Sequence, residues 1–322
     1  MMIKEPPPFC KNWGQAPKFY IFEARPQFFT WRGKYEKLLV CRTKKMENEE
    51  VKNELEQDDQ KSSVDKISGK MDLTFCDDQY DYDWFLDVLN RGKPRRVRFR
   101  LVDTGKFEGH QLEKMVGMGA DLYTSDRVRK DVLELEFILK AAKSVNTIVA
   151  FLLQNEIVSE EKHNFIPLAS LAHLGRQGLF FHVSNREKDR NLADLSQIGV
   201  QCRKGSSRLI YYHHGPMTPE FVDLAKEGVW IHMSNKSIQS EDDLFLFLDM
   251  TAAARTSGAN CVLYVEKEMS FSFLHEAVKS PALVLFKTAP VDFKSSFKPL
   301  VDEAVSKHLD YRAFYLYSTF LQ

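Results

Sequence analysis

The chain carries GLFFHVSN at Gly178–Asn185 and GVWIHMSN at Gly228–Asn235, with a fainter copy, GADLYTSD, at Gly119–Asp126. Each copy opens on Gly, places Tyr or His four residues on, Ser two later, then Asp or Asn, then Arg or Lys. Between those marks two kinds of side chain alternate, the period-2 signature of a strand. The leading Gly stands where a preceding helix must stop and hand the chain on. Only Gly takes the left-handed conformation at a helix C-terminus cheaply. The stretch therefore reads as helix end, strand, and polar strand tip.

Working outward, similar apolar runs recur from about residue 71. They are MDLTFC (71–76), VRFRLVD (97–103), DLYTS (121–125), TIVAFLL (147–153), LFFHVS (179–184), RLIYYH (208–213), VWIHMS (229–234), CVLYVE (261–266) and ALVLFK (282–287). Helical signals lie between them. In DRVRKDVLELEFILKAAKSVN, residues Val132, Leu133, Leu135, Phe137, Ile138 and Ala141 recur at helical spacing. SEDDLFLFLDMTAAARTSGAN opens on Ser240 as N-cap and closes on Gly258 and Asn260. TPEFVDLAKEG places Thr218 as cap, Pro219 at the first helical position and Gly228 at the end. Strands alternating with helices imply a parallel sheet joined by right-handed crossovers. The predicted fold is α/β, a TIM-barrel-like (β/α)8 parallel sheet. The alternative is an open doubly wound sheet. Nine runs exceed eight, so either MDLTFC or ALVLFK is expected outside the ring.

Before this domain, residues 1–42 read as a small N-terminal β element, with KFYIFEA and QFFTWRG as strand signals. Residues 43–70 are dense in Lys, Glu, Asp, Asn, Gln and Ser. Such a segment cannot bury enough apolar area to offset its ordering entropy, and is expected to be a flexible charged linker. The barrel domain then spans residues 71–322. Its aromatic end, DYRAFYLYSTFLQ, is expected to pack as a last helix or to form a homo-oligomer contact.

Within the repeated strands, Leu122, Leu179, Phe181, Val183, Val229, Ile231 and Met233 fall on one face, suited to covering helices. Asp121, Tyr123, Ser125, Phe180, His182, Ser184, Trp230, His232 and Ser234 fall on the other. The second face turns polar toward its C-terminal end, as a barrel strand does near a catalytic mouth. The same drift is read in Leu209, Tyr211, His213 and in Val262, Tyr264, Glu266. Active sites of barrels and doubly wound sheets lie at that edge.

The catalytic candidates are His182, His213 and His232 as acid–base groups or ligands, with Glu266 and Asp103 as carboxylates. The binding candidates are Lys287, Ser184, Ser234, Asn185 and Asn235. Asp126, Asn185 and Asn235 can equally be helix N-caps, and the two strand histidines core imidazoles. KPRRVRFR puts Arg96, Arg98 and Arg100 on one face, expected to point outward as a solvated or salt-bridged edge; the alternative is that they face the lumen and bind an anion bidentately. No HExxH, CxxC or GxSxG spacing occurs, so neither a metal nor a nucleophile is assigned. No GxGxxG or Walker pattern occurs either, and no cofactor is named.

Composition sets the outer bounds. Basic and acidic residues balance at 45 each over 322 residues. A balanced chain is a poor candidate for non-specific nucleic-acid binding, which uses a basic surface, and no nucleic-acid partner is expected. No run reaches the length of a membrane span, and MMIKEPPPFCKNWG is no signal peptide. Five scattered cysteines without a CxxC fit free thiols in the cytoplasm. The expected protein is a cytoplasmic hydrolase or lyase binding a small polar molecule, or a degenerate non-catalytic barrel used for binding or scaffolding.

Overall fold

Among the described residues, nine apolar runs become nine parallel strands, with one α-helix between each strand and the next. The computed structural model describes residues 72–95, 97–160, 165–266 and 269–286. The N-terminal β element, the charged linker, Arg96, Lys287 and the aromatic C-terminus lie outside the described residues. The strands are β1 (Asp72–Cys76), β2 (Arg98–Val102), β3 (Ala120–Ser125), β4 (Val149–Leu153), β5 (Phe180–Ser184), β6 (Leu209–His213), β7 (Trp230–Ser234), β8 (Cys261–Val265) and β9 (Leu283–Phe286). The helices between them are α1 (Tyr82–Gly92), α2 (Gly109–Gly117), α3 (Val132–Val145), α4 (Leu168–Arg176), α5 (Leu192–Lys204), α6 (Glu220–Lys226), α7 (Glu241–Ser257) and α8 (Phe271–Lys279).

The strands lie side by side in sequence order, β1 through β9, every neighbour parallel. A doubly wound sheet reverses its order at a switch point. This sheet has none among the described residues, so the α/β architecture is the singly wound one of barrels. Both end runs belong to it. Asp72–Cys76 pairs with β2, and Leu283–Phe286 pairs with β8. The expectation that one of them would stand apart is corrected: the ninth strand extends the sheet.

Right-handed crossovers between consecutive neighbours put every helix on the same face. Register then sorts the side chains. Phe151 pairs with Phe181, Phe181 with Leu209, and Ile231 with Cys261, all toward the helices. Leu122, Phe151, Phe181, Ile231 and Leu263 there are completely buried. Continuous apolar strands of this kind are what a sheet covered on both faces requires. The inner face carries His182, Tyr212, His232 and Tyr264, also buried.

Helix ends follow local chemistry. The Asp131 side chain accepts the Leu133 and Glu134 N–H groups at the start of α3, and Asn191 accepts that of Ala193 at α5. Ser240 caps α7 in a reciprocal box with Asp243, and Gly258 closes the helix at φ 77°. The leading glycines behave as their position demands. Gly119, Gly178 and Gly228 adopt φ of 113°, 103° and 97°, just ahead of β3, β5 and β7. A Cβ on Gly119 would meet nothing within 4 Å, so any penalty there is conformational alone. Gly119→Ala should therefore cost about 1–2 kcal/mol in urea unfolding, the left-handed penalty of an L-residue. Gly117→Ala, two residues earlier in helical backbone with only Ala141 Cβ at 3.9 Å, should be neutral or stabilising. Equal losses at both sites would show that φ is not the cause.

Candidate functional site

The predicted convergence divides at the sheet. His182 and His232 sit on the inner face, completely buried. Each pairs with a tyrosine on the next strand. His182 Nδ1 lies 2.9 Å from the Tyr212 hydroxyl, and His232 Nδ1 lies 2.8 Å from the Tyr264 hydroxyl. Tyr212 stacks on His182 at 5.8 Å and meets His232 edge-on at 4.9 Å, so the four rings form one row across β5–β8. Both couples use the same diagonal, because the tyrosine stands two residues beyond the histidine's register partner. Burial drives the His182 pKa down to about 3. It drives His232 well below the ordinary value too, with His182 as a second cause. Both imidazoles are neutral at physiological pH.

His213 does not join them. Register places Leu209 against Phe181 and Tyr211 against Val183, so Leu209, Tyr211 and His213 face the helices. The expected inward drift along that strand is corrected; Tyr212 is the inward residue. His213 Nε2 donates to the Pro216 carbonyl at 2.8 Å, and its ring packs 4.5 Å from Phe221 of α6. Burial lowers its pKa. Asp103 is also on the helix side, since Leu101 pairs with Leu122. Its carboxylate accepts from Arg129 Nε at 2.8 Å, Arg129 Nη2 at 2.9 Å and Thr124 Oγ1 at 2.7 Å. Arg98 and Arg100 go the other way. Arg100 pairs with Asp121 and Arg98 ion-pairs with it, which places them on the inner face and corrects the outward expectation.

The polar strand tips have a common task. Asp126, the first residue after β3, accepts the N–H of Gln154 at 3.0 Å and of Asn155 at 2.9 Å, just after β4. Asn185, after β5, accepts the His214 N–H at 2.7 Å and donates to the His214 carbonyl at 2.9 Å, after β6. Asn235, after β7, accepts the Glu266 N–H at 3.0 Å, after β8. Asp77, after β1, accepts the Thr104 N–H at 2.9 Å and the Lys106 N–H at 3.1 Å. One side chain thus ties the end of each of β1, β3, β5 and β7 to the loop of the next strand. Acid or amide follows the partner. The two carboxylates stand where two N–H groups arrive, and at Asn185 an amide stands where a carbonyl must also be met.

Asp126, Asn185 and Asn235 are not the helix N-caps expected of them; the caps are Asp131, Asn191 and, at the 3-10 turn of Asn235–Ser237, Ser234. Ser234 Oγ accepts the Lys236 N–H at 3.2 Å, and Ser184 Oγ the Arg186 N–H at 3.1 Å. Two arginines brace the rim backwards. Arg129 reaches Asp103 and the Phe107 carbonyl in the β2 loop. Arg190 donates to the carbonyls of Leu153, Gln154 and Asn155 in the β4 loop. Glu266 continues the inner face beyond β8 and ion-pairs with Lys236 at 3.0 Å.

Sequence reasoning missed Tyr212, Tyr264, Asp77, Arg129 and Arg190 in these roles. The phase of LIYYH relative to FFHVS could have singled out Tyr212, had the register been known. Asp77 was signalled by its position, immediately after an apolar run. Among the described residues no group of three His, Cys, Asp or Glu side chains is placed to hold a metal ion. Cys76, Cys202 and Cys261 are buried thiols, and burial pushes Cys202 up to about 12. A cavity of about 10 Å³ lies on the helix side among Phe75, Phe85, Val88, Phe99 and Met115. That is room for one water at most. No helix among the described residues is long and apolar enough to cross a membrane.

No protein-family model matches the chain, and no curated protein matches its sequence. Among solved structures it is similar to deoxyribose phosphate aldolase from Aeropyrum pernix, at 12% identity and a TM-score of 0.26. That match covers 78% of this chain and 99% of that one. It is similar to an HpcH/Hpal aldolase/citrate lyase family protein from Burkholderia cenocepacia at 10% identity and a TM-score of 0.29, covering 65% and 93%. A mandelate racemase/muconate lactonizing protein from Herpetosiphon aurantiacus matches at 14% identity and 0.29, covering 66% and 50%. Scores this low bear on neither reaction nor ligand, and the fold assignment rests on the strand order itself.

Proposed function

We propose that this chain is a non-catalytic barrel that serves as a binding scaffold, in preference to a hydrolase or lyase working at the mouth. One observation carries the reading: the strand-end polar groups are committed to one another. Asp77, Asp126, Asn185 and Asn235 hold neighbouring loops, Ser184 and Ser234 hold turns, and Arg129 and Arg190 brace the loops behind them. Groups engaged in this way fix a surface and leave little capacity for a substrate. A general acid or base works best with a pKa near the operating pH. Burial takes His182 and His232 far from it, and His213 is engaged with a carbonyl.

Two measurements follow, and a third decides between the readings. Asn185→Ala removes both bonds to His214 and should cost about 0.5–1.5 kcal/mol in urea unfolding, the net worth of intramolecular hydrogen bonds in a solvent-exposed loop. Asn185→Asp keeps the acceptor for the His214 N–H and should lose less. A loss within about 0.5 kcal/mol for the alanine, the range of ordinary surface changes, would deny the clamp a structural role.

The buried histidines give stability a pH slope. They stay neutral in the fold, while the unfolded chain binds protons below about pH 6.5. Stability is therefore level above that pH and falls on acidification, by about 1.4 kcal/mol per pH unit for each histidine. His182→Gln should lower that slope by one proton between pH 6 and 4. An unchanged slope would mean His182 is already protonated in the fold. For the decision, elemental analysis of the purified full-length chain should find well under one transition-metal ion per chain. A stoichiometric ion lost in His232→Gln would overturn the scaffold reading.

A further inference from the structure

We propose that the outer side of α3 is a docking surface for an amphipathic helix with acidic flanks on a protein partner. The inference rests on the scaffold reading and gives its partner a chemical class. α3 buries Leu135, Ile138, Leu139 and Ala142 toward the sheet. Its opposite side is apolar as well: Leu133 is 65% exposed, Phe137 59% and Val145 40%, with Ala141 between them. These four recur every fourth residue, a stripe of about 18 Å along the helix. An ordinary surface helix turns polar residues outward. A helix that carries an exposed apolar ridge beside exposed Lys140, Lys143 and Ser144 offers a surface that a partner can cover.

Charge selects what covers it. The acids around the stripe are already engaged. Asp131 caps the helix, Glu134 holds Arg129 at 2.9 Å, and Glu136 holds His173 of α4 at 2.9 Å. The cations are not. Among the described residues Lys130, Lys140 and Arg176 make no ion pair, and Lys143 meets only the neutral amide of Gln177 at 3.3 Å. Glu136, Lys140 and Lys143 share the side of α3 that faces α4, since both Glu136 and Lys143 bridge to it. An apolar stripe edged by a basic row fits a helix with apolar anchors at i, i+4 and i+8 and carboxylates alongside. A second copy of this chain fits poorly. A two-fold interface sets each patch against itself, lysine row against lysine row.

Fluorescence anisotropy on the full-length protein tests this. The probe is a labelled synthetic helix with leucines at i, i+4 and i+8 flanked by glutamates, compared with its lysine-flanked twin. The glutamate peptide should bind, the lysine peptide at least about tenfold more weakly. Leu133→Ser with Phe137→Ser should weaken binding about tenfold or more, and so should Lys140→Glu with Lys143→Glu. Phe245→Ser, on α7 and 62% exposed, should change nothing. Circular dichroism and melting curves of each variant establish that the fold is kept. The proposal is overturned by glutamate-peptide binding that survives the double serine change or falls equally with Phe245→Ser. It is overturned too by no peptide binding, by capture on phosphatidylserine vesicles instead, or by a dimer in sedimentation that Phe137→Ser dissolves. Those results leave the scaffold reading standing, whereas a bound catalytic ion removes that reading whatever the peptide does.

Discussion

The structure depends on one contact made four times: a side-chain oxygen just past an odd strand accepts the backbone N–H just past the even strand beside it. Ladder hydrogen bonds end where the strands end, and the first N–H groups of each loop would otherwise be left to water or to nothing. Asp77, Asp126, Asn185 and Asn235 supply the missing acceptors. Because the contact crosses from one strand to the next, it fixes the relative height of the two loops as well as satisfying a donor. Arg129 and Arg190 add the opposite constraint, reaching back to the loop of the preceding strand. Between them the rim from β2 to β6 is braced in both directions.

Much of this architecture is legible in the sequence. Nine apolar runs of strand length mark nine strands, because a strand covered on both faces has no reason to carry surface polarity. GLFFHVSN and GVWIHMSN locate helix end, strand and strand tip within a residue, since a left-handed Gly and a terminal Asn are each demanded by local geometry. The apolar face of the repeated strands is also readable, from alternation alone. Alternation does not say which parity of a different strand matches it. His213 shows the limit: LIYYH has tyrosines at both parities, and only the pairing of Leu209 with Phe181 decides that His213 faces α6. Asp103 is displaced for the same reason, since parity relative to Leu122 is a property of register. The polar tips were recognisable as a place, but their mutual bonding was not. A bond between residues 27 to 31 positions apart leaves no local trace.

The His–Tyr couples show how an interior polar group can specify packing without chemistry. A phenol and an imidazole each need a partner when removed from water, and each supplies it to the other. Setting the couples on one diagonal lets Tyr212 serve both, bonded to one ring and edge-on to the next. A phenylalanine row would fill similar volume with no such preference for register. The row fixes β5 to β8 against slippage on the inner face, as the side-chain clamps do at the rim.

The strictly consecutive strand order has a consequence for how the molecule is assembled in time. Among the described residues every strand finds its neighbour in the next thirty or so residues, so these eight pairings do not wait for a distant part of the chain. Closing a short loop has a small entropic cost that grows only with the logarithm of its length, and low contact order speeds folding. An emerging chain can complete one strand pair, lock its tip, and add the next, as repeat proteins grow from a nucleus. An order of this kind also tolerates a change in strand number, which is how nine can stand where eight suffice.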